Sequence, residues 1–269
     1  MVPVPAPLSL DLPKQPWANV IGARMRSAHN IGSWTTDALD APSCVAHALL
    51  SDSGSLRVQV GAWGTSSAAV ALCVAAACAA LDVSGTNVTI AALDRKLVEP
   101  LEAALDAKLQ WRERCGLYML GSSALPTARD PPTGAVLRAL RRSDAETLDA
   151  RWAYRSATSV DTIVKMIGGH EPRLGCIGCV MDGELVGWIA RYADGALGML
   201  YVEECARRRG VGALLVSAAA RDLQLQDEAC FCYIVDGNDA SRGLFEAQGW
   251  ERVADADWVG FSRATSTPL

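Results

Sequence analysis

Histidine is nearly absent from this chain, with three in 269 residues, at His29, His47 and His170. Zinc sites draw on paired cysteines and histidines, and the one Cys-x-x-Cys pair here is Cys176-Ile177-Gly178-Cys179. With no second ligand pair at a matching spacing, no metal site is expected. The nine cysteines are irregularly placed, mostly within apolar runs, and read as reduced thiols packed like small hydrophobes. A basic surplus is also missing: the net charge is −5, which argues against a general nucleic-acid binder and makes any arginine cluster a local site. Long apolar runs are missing too. The longest, Ala68–Leu81, is alanine-rich and too short to span a bilayer, so it reads as a buried helix. Met1–Pro16 has no basic start and is broken by prolines, unlike a secretory leader. These absences give a soluble cytoplasmic protein without a membrane partner as the expectation. A mitochondrial location is the alternative, because Arg24 and Arg26 are basic and Asp11 is the one early acid.

What is present is organised from Cys44 onward. Residues 1–40 read as a partly ordered lead-in, and 41–125 as a first half. Within it, strands are expected at Cys44–Leu50, Leu56–Trp63, Asn87–Ala91 and Leu117–Leu120, with helices at Ala68–Leu81 and from Asp94 to Leu109. Residues 126–134 contain Pro126, Pro131, Pro132 and Gly134 and read as a linker. In residues 135–269, Ser143-Asp144-Ala145-Glu146 matches a capping box. Three strands then meander through Asp182-Gly183 and Asp194-Gly195 turns, and Trp258–Arg263 closes the chain as a strand. The second half looks like a fuller version of the first. The fold class is therefore α/β (α+β), a mixed central sheet with a related, degenerate N-terminal half.

The chemistry-bearing stretch runs from Gly198 to Trp250. A strand leads into Arg207-Arg208-Arg209-Gly210-Val211-Gly212, and then into a helix patterned by Val211, Leu214, Leu215, Ala218, Ala219 and Leu223. Gly210 and Gly212 let the backbone bend with its amides outward, and a helix start beyond them suits a phosphate. Three arginines add donors of the right sign.

Tyr201 through Ala213, with Arg207-x-x-Gly210-x-Gly212, together with Asn238 through Trp250, resemble the GNAT superfamily of acyl-CoA-dependent N-acyltransferases. A looser resemblance, over nearly the whole chain, is to glycine N-acyltransferase-like proteins. The resemblance implies acyl-CoA or acetyl-CoA as cosubstrate and a small-molecule amine as acceptor. It implies that the backbone of Arg208, Arg209, Gly210, Val211, Gly212 and Ala213 holds the coenzyme's diphosphate, with Arg207 beside it. Leu200, Tyr201 and Val202 would pair edge-on with the pantetheine amides. Asn238 and Ser241 would face the pantetheine arm across a gap between two splayed strands. Phe245 stands where many members carry a tyrosine beside the thioester sulfur, and Ala196 about where the glycine-specific enzymes carry a glutamate base. Neither can move a proton. The nearest remaining acid–base candidates are Asp194, Tyr201 and Glu203; each also reads as a plain turn, packing or solvated loop residue. The expected activity is acyl transfer to a primary amine, glycine or another amino acid among the acceptors, by direct attack on the thioester. The alternatives are a general N-acetyltransferase of peptides or small amines and a non-catalytic acyl-CoA-binding module. Monomer and homodimer stay open.

Overall fold

The computed structural model describes residues 2–3, 30–35, 44–50, 56–62, 88–105, 107–121, 126, 129–168, 173–192 and 194–263. The helix expected over Ala68–Leu81, most of residues 1–40 and part of the linker lie outside them. In chain order the strands are β1 (Val2–Pro3), β2 (Asn30–Thr35), β3 (Cys44–Leu50), β4 (Leu56–Ala62), β5 (Val88–Asp94) and β6 (Ala107–Leu120). They continue as β7 (Ala135–Ala139), β8 (Ile177–Met181), β9 (Glu184–Arg191), β10 (Leu197–Val202), β11 (Phe231–Val235) and β12 (Trp250–Arg263). The α-helices are α1 (Val98–Leu105), α2 (Ala145–Arg151), α3 (Ser159–Met166), α4 (Val211–Gln224) and α5 (Asp239–Glu246). Two compact units result: Met1–Leu117 with Val235–Gly237 and Arg252–Leu269, and Tyr118–Ile234 with Asn238–Glu251.

In the first unit the strand order is β1-β2-β3-β4-β5-β12-β6. Neighbours β2–β3, β3–β4 and β5–β12 run antiparallel, whereas β4 and β5 are parallel and stay paired at Arg57↔Thr89, Val58↔Ile90 and Gln59↔Ala91. Two strands are much longer than the sequence suggests, since β6 and β12 each run for 14 residues. The sequence marks only Leu117–Leu120 and Trp258–Arg263 as strand, and the charges of Arg112, Asp255 and Asp257 in the added lengths are neutralised locally. Asp257 is fully buried and accepts from Arg95 Nε at 3.0 Å and Arg112 Nε at 2.6 Å. Arg95 also reaches Asp255 at 3.2 Å and Asp236 at 2.8 Å, and Arg112 reaches Glu99 at 3.0 Å. Burying a carboxylate is tolerable only with such partners. Helix α1 ends at Leu105 and not at Leu109, because the Leu109 N–H is taken by the Glu102 carboxylate at 2.9 Å.

In the second unit the order is β7-β8-β9-β10-β11, with the end of β6 on the far side of β11 through Leu120 N–H to Cys230 O at 3.0 Å. Helix α4 buries Val211, Leu215, Val216, Ala219, Ala220 and Leu223 in one core, with Ile189, Leu197, Phe245 and Trp250. Helices α2 and α3 close a second core through Leu148, Ile163 and Met166, against Leu140 and Trp188. Each fully buried Leu or Ile is worth roughly 1.5–3 kcal/mol, so α4 is anchored over its whole length. The expected capping box is replaced by Asp144, whose carboxylate accepts from the Arg141 N–H at 2.7 Å and from Arg138 at 2.7 and 2.9 Å. Burial alone pushes the Asp144 carboxyl up, but the Arg138 and Arg141 donors outweigh it and hold the group below its ordinary range.

Among the described residues, no helix is long and apolar enough to cross a membrane, and no three His, Cys, Asp or Glu side chains group as a metal would require. Of the described cysteines, Cys115, Cys176, Cys179, Cys230 and Cys232 are buried and Cys205 is exposed. Burial pushes the Cys115 and Cys230 thiols up to about 12. A short pulse of a thiol-alkylating reagent at neutral pH is therefore expected to modify Cys205 and to spare those five. Peptide mapping reads the outcome, and rapid labelling of Cys230 or Cys232 would show that the core opens.

Candidate functional site

The site is built where β10 stops pairing with β11. These parallel strands pair at Leu197↔Cys232 and at no later position, so they part toward their C-terminal ends. The register of β10 against β9 shifts between Gly198 and Tyr201, with Met199 at φ 49°. Such a bulge turns backbone groups away from the ladder. Beyond it, the Glu203 N–H donates to Val186 O of β9 at 2.8 Å. Successive backbone groups alternate sides, so the N–H and C=O of Val202 point the other way, into the gap. The Val202 carbonyl accepts from Arg207 Nε at 3.0 Å, which leaves its N–H as the gap-facing donor.

A 3₁₀ turn (Glu204–Ala206) then leads to the arginines and α4. Gly210 is the N-cap at φ 83°, a left-handed conformation that costs any other residue energy, and a Cβ placed there would meet nothing within 4 Å. The first bond of the helix runs from the Leu214 N–H to Gly210 O at 2.9 Å. Val211, Gly212 and Ala213 accordingly have N–H groups without an intrahelical acceptor, and no side chain caps them. Arg208 and Arg209 are exposed and make no hydrogen bond or ion pair among the described residues. Arg208 itself sits at φ 58°, which tightens the bend.

Helix α4 can come this close to the sheet because of Gly187 in β9. A Cβ there would stand 3.1 Å from Tyr201 O, 3.1 Å from Val211 Cγ1 and 3.2 Å from Leu215 Cδ1. Nothing in the one-dimensional pattern singled out Gly187, and a glycine inside a strand was the available signal.

Solved structures share this architecture. A Drosophila protein from a structural genomics programme superposes with a TM-score of 0.70 at 19% identity, over 91% of this chain and 82% of that one. A GCN5-related N-acetyltransferase from Kribbella flavida matches with a TM-score of 0.54 at 15% identity, over 91% of this chain and 93% of that one. A tandem GNAT protein from the clavulanic acid biosynthesis pathway matches with a TM-score of 0.53 at 15% identity, over 94% and 89% of the two chains. This chain has the GNAT fold. Residues 174–259 match the FR47-like protein family, the segment that holds the gap and the arginine–glycine bend of the GNAT fold. A search of curated proteins finds no match.

Within the GNAT fold the anticipated residues separate into those at the gap and those elsewhere. Leu200, Val202 and Gly212 line one region, with Leu244 of α5 standing 3.2 Å from the Cβ position of Gly212. Arg207 turns back toward the strand: besides its bond to Val202, its guanidinium lies 5.8 Å from the Tyr201 ring centroid. Tyr201 stacks on Trp188 with centroids 5.0 Å apart and packs against the α2–α3 core. Asn238 Oδ1 accepts from the Ser241 N–H at 3.1 Å, so both residues serve the start of α5. Phe245 is buried edge-on against Trp250 at 4.9 Å and carries no proton to give.

The acid–base candidates are not together. Asp194 is buried in the β9–β10 turn, where Oδ1 accepts from the Ala196 N–H at 3.0 Å. At about 3.3 Å of rise per strand residue it lies on the order of 20 Å from the gap end of β10. Ala196 is fully buried at the same far end. Glu203 does stand at the gap end, and its Oε1 accepts from Arg151 Nε at 2.9 Å. Arg151 had drawn no attention in the sequence, because a helix-ending arginine is unremarkable.

Proposed function

We propose that the chain is an acyl-CoA-dependent N-acyltransferase that acylates the primary amine of a small molecule, an amino acid such as glycine among the candidates. The observation that carries this reading is the parting of β10 and β11 directly ahead of an uncapped, arginine-flanked helix start. An acyl-CoA needs both features at once. Its diphosphate fits the free N–H groups of Val211, Gly212 and Ala213, the open space at Gly210, and the exposed Arg208 and Arg209 side chains. Its pantetheine amides fit backbone groups that have lost a neighbouring strand.

The chemistry follows from what faces the gap. The Val202 N–H is placed to donate to a thioester oxygen as charge develops there. The amine attacks the carbonyl carbon, the C–N bond forms, the C–S bond breaks and the thiolate takes a proton. With Phe245 in place of a hydroxyl-bearing residue, that proton comes by way of solvent. Proximity and the backbone donor supply most of the acceleration in this scheme.

The test is thiol release from acetyl-CoA and longer acyl-CoAs in the presence of mixed amines. Amine-dependent release is expected. Stoichiometric acyl-CoA binding without release across a broad amine panel would favour a binding module, and equal use of peptide N-termini would favour a general N-acetyltransferase.

A further inference from the structure

We propose that Arg151 and Glu203 read the acceptor as a free amino acid, Arg151 taking its carboxylate and Glu203 its amine. The proposal rests on the acyltransferase reading and narrows it to one class of acceptor. Arg151 ends α2 and Glu203 follows β10, so two elements distant in sequence bring opposite charges to one edge of the gap. Only Arg151 Nε is engaged, with Glu203 Oε1 at 2.9 Å; neither terminal guanidinium nitrogen has a partner among the described residues. The Arg151 side chain is 49% exposed and that of Glu203 is 23% exposed. A pair this open contributes little to folding. What it offers is the unused edge of a planar fork, the shape that takes a carboxylate through two parallel hydrogen bonds.

Position supplies the second half of the case. Glu203 is the residue after Val202, whose N–H faces the gap. On the other side of Val202, Tyr201 is fixed between Trp188, at 5.0 Å, and the Arg207 guanidinium, at 5.8 Å. The strand end carrying Glu203 is thus held by packing on the face where Arg151 arrives. A free amino acid carries an ammonium and a carboxylate on one carbon, matching a carboxylate and a guanidinium in contact. A peptide N-terminus lacks a carboxylate at that spacing, and a polyamine lacks one altogether.

The step balances without a further reagent. The acceptor arrives as an ammonium and gives one proton to the Glu203 carboxylate. The neutral amine forms the C–N bond as the C–S bond breaks, and its second proton passes through water to the thiolate. Glu203 then returns its proton to solvent.

Two measurements on the full chain test the proposal. The first compares thiol release from acetyl-CoA with free amino acids against their α-carboxamides. Free acids are expected to have kcat/KM at least tenfold higher. Arg151→Gln should erase that preference by lowering the free-acid value alone, and Arg151→Lys should restore part of it. Equal use of acids and amides, or an equal loss on both in Arg151→Gln, would overturn the proposal. The second titrates free amino acids onto the protein with coenzyme A present and follows its melting temperature. A saturable rise that is absent in Arg151→Gln supports the pair as an amino-acid site even if no thiol is released, which would sink acyl transfer and not this assignment. No rise with any amino acid in the unaltered protein would overturn it.

Discussion

Gly210→Val is expected to weaken coenzyme A binding at least tenfold in calorimetry while costing the fold little. A valine at φ 83° carries roughly 1–2 kcal/mol of backbone strain, and its side chain would project into the open space that a diphosphate needs. Among the described residues nothing beyond the adjoining backbone lies within 4 Å of the added Cβ, so the change meets no core side chain. Gly134 gives the matched control: it has φ 80° and equally open surroundings, but it precedes β7. Gly134→Val should show the same strain and unchanged affinity. Replacing Arg208 and Arg209 with alanine should weaken binding as well and flatten its dependence on salt, because exposed charges act through a screened field. Unchanged affinity in Gly210→Val and in the double arginine variant would refute the placement of the diphosphate.

The second large effect lies in the other unit and concerns stability alone. Asp257→Ala is expected to destabilise the first unit by about 3–5 kcal/mol, because it removes a buried carboxylate and leaves Arg95 and Arg112 without it. Scanning calorimetry should show a marked fall in that unit's transition. Asp239→Ala removes an ion pair whose side chains are 51% and 74% exposed, and it should cost less than about 1 kcal/mol. If the two substitutions cost the same, the network around Asp257 is not what makes a charged segment viable as a strand.

Much of the second unit was legible because its signals are local. The helix over Val211–Gln224 follows from apolar spacing, the meander β8–β9–β10 from its two turns, and the bend from Gly210 and Gly212. What stayed hidden depends on partners far away in sequence. β6 and β12 disguise themselves with charges that only meet in three dimensions, Arg95 and Asp257 being 162 residues apart. Met199 adopts a positive φ with no glycine to announce it. Arg207, read as a phosphate ligand, is drawn back by the Val202 carbonyl and the Tyr201 ring, and Asn238 is occupied as a helix cap. The pairing of Arg151 with Glu203 is invisible for the same reason, since a helix end and a strand end meet only after folding.

Where the nucleotide sits decides the function, and a crystal structure of the chain soaked with coenzyme A tests that most directly. Diphosphate oxygens are expected within hydrogen-bond distance of the backbone N–H groups of Val211, Gly212 and Ala213, with the pantetheine arm running between β10 and β11. Density for the diphosphate away from that helix start, or a pantetheine arm outside the gap, would contradict that placement.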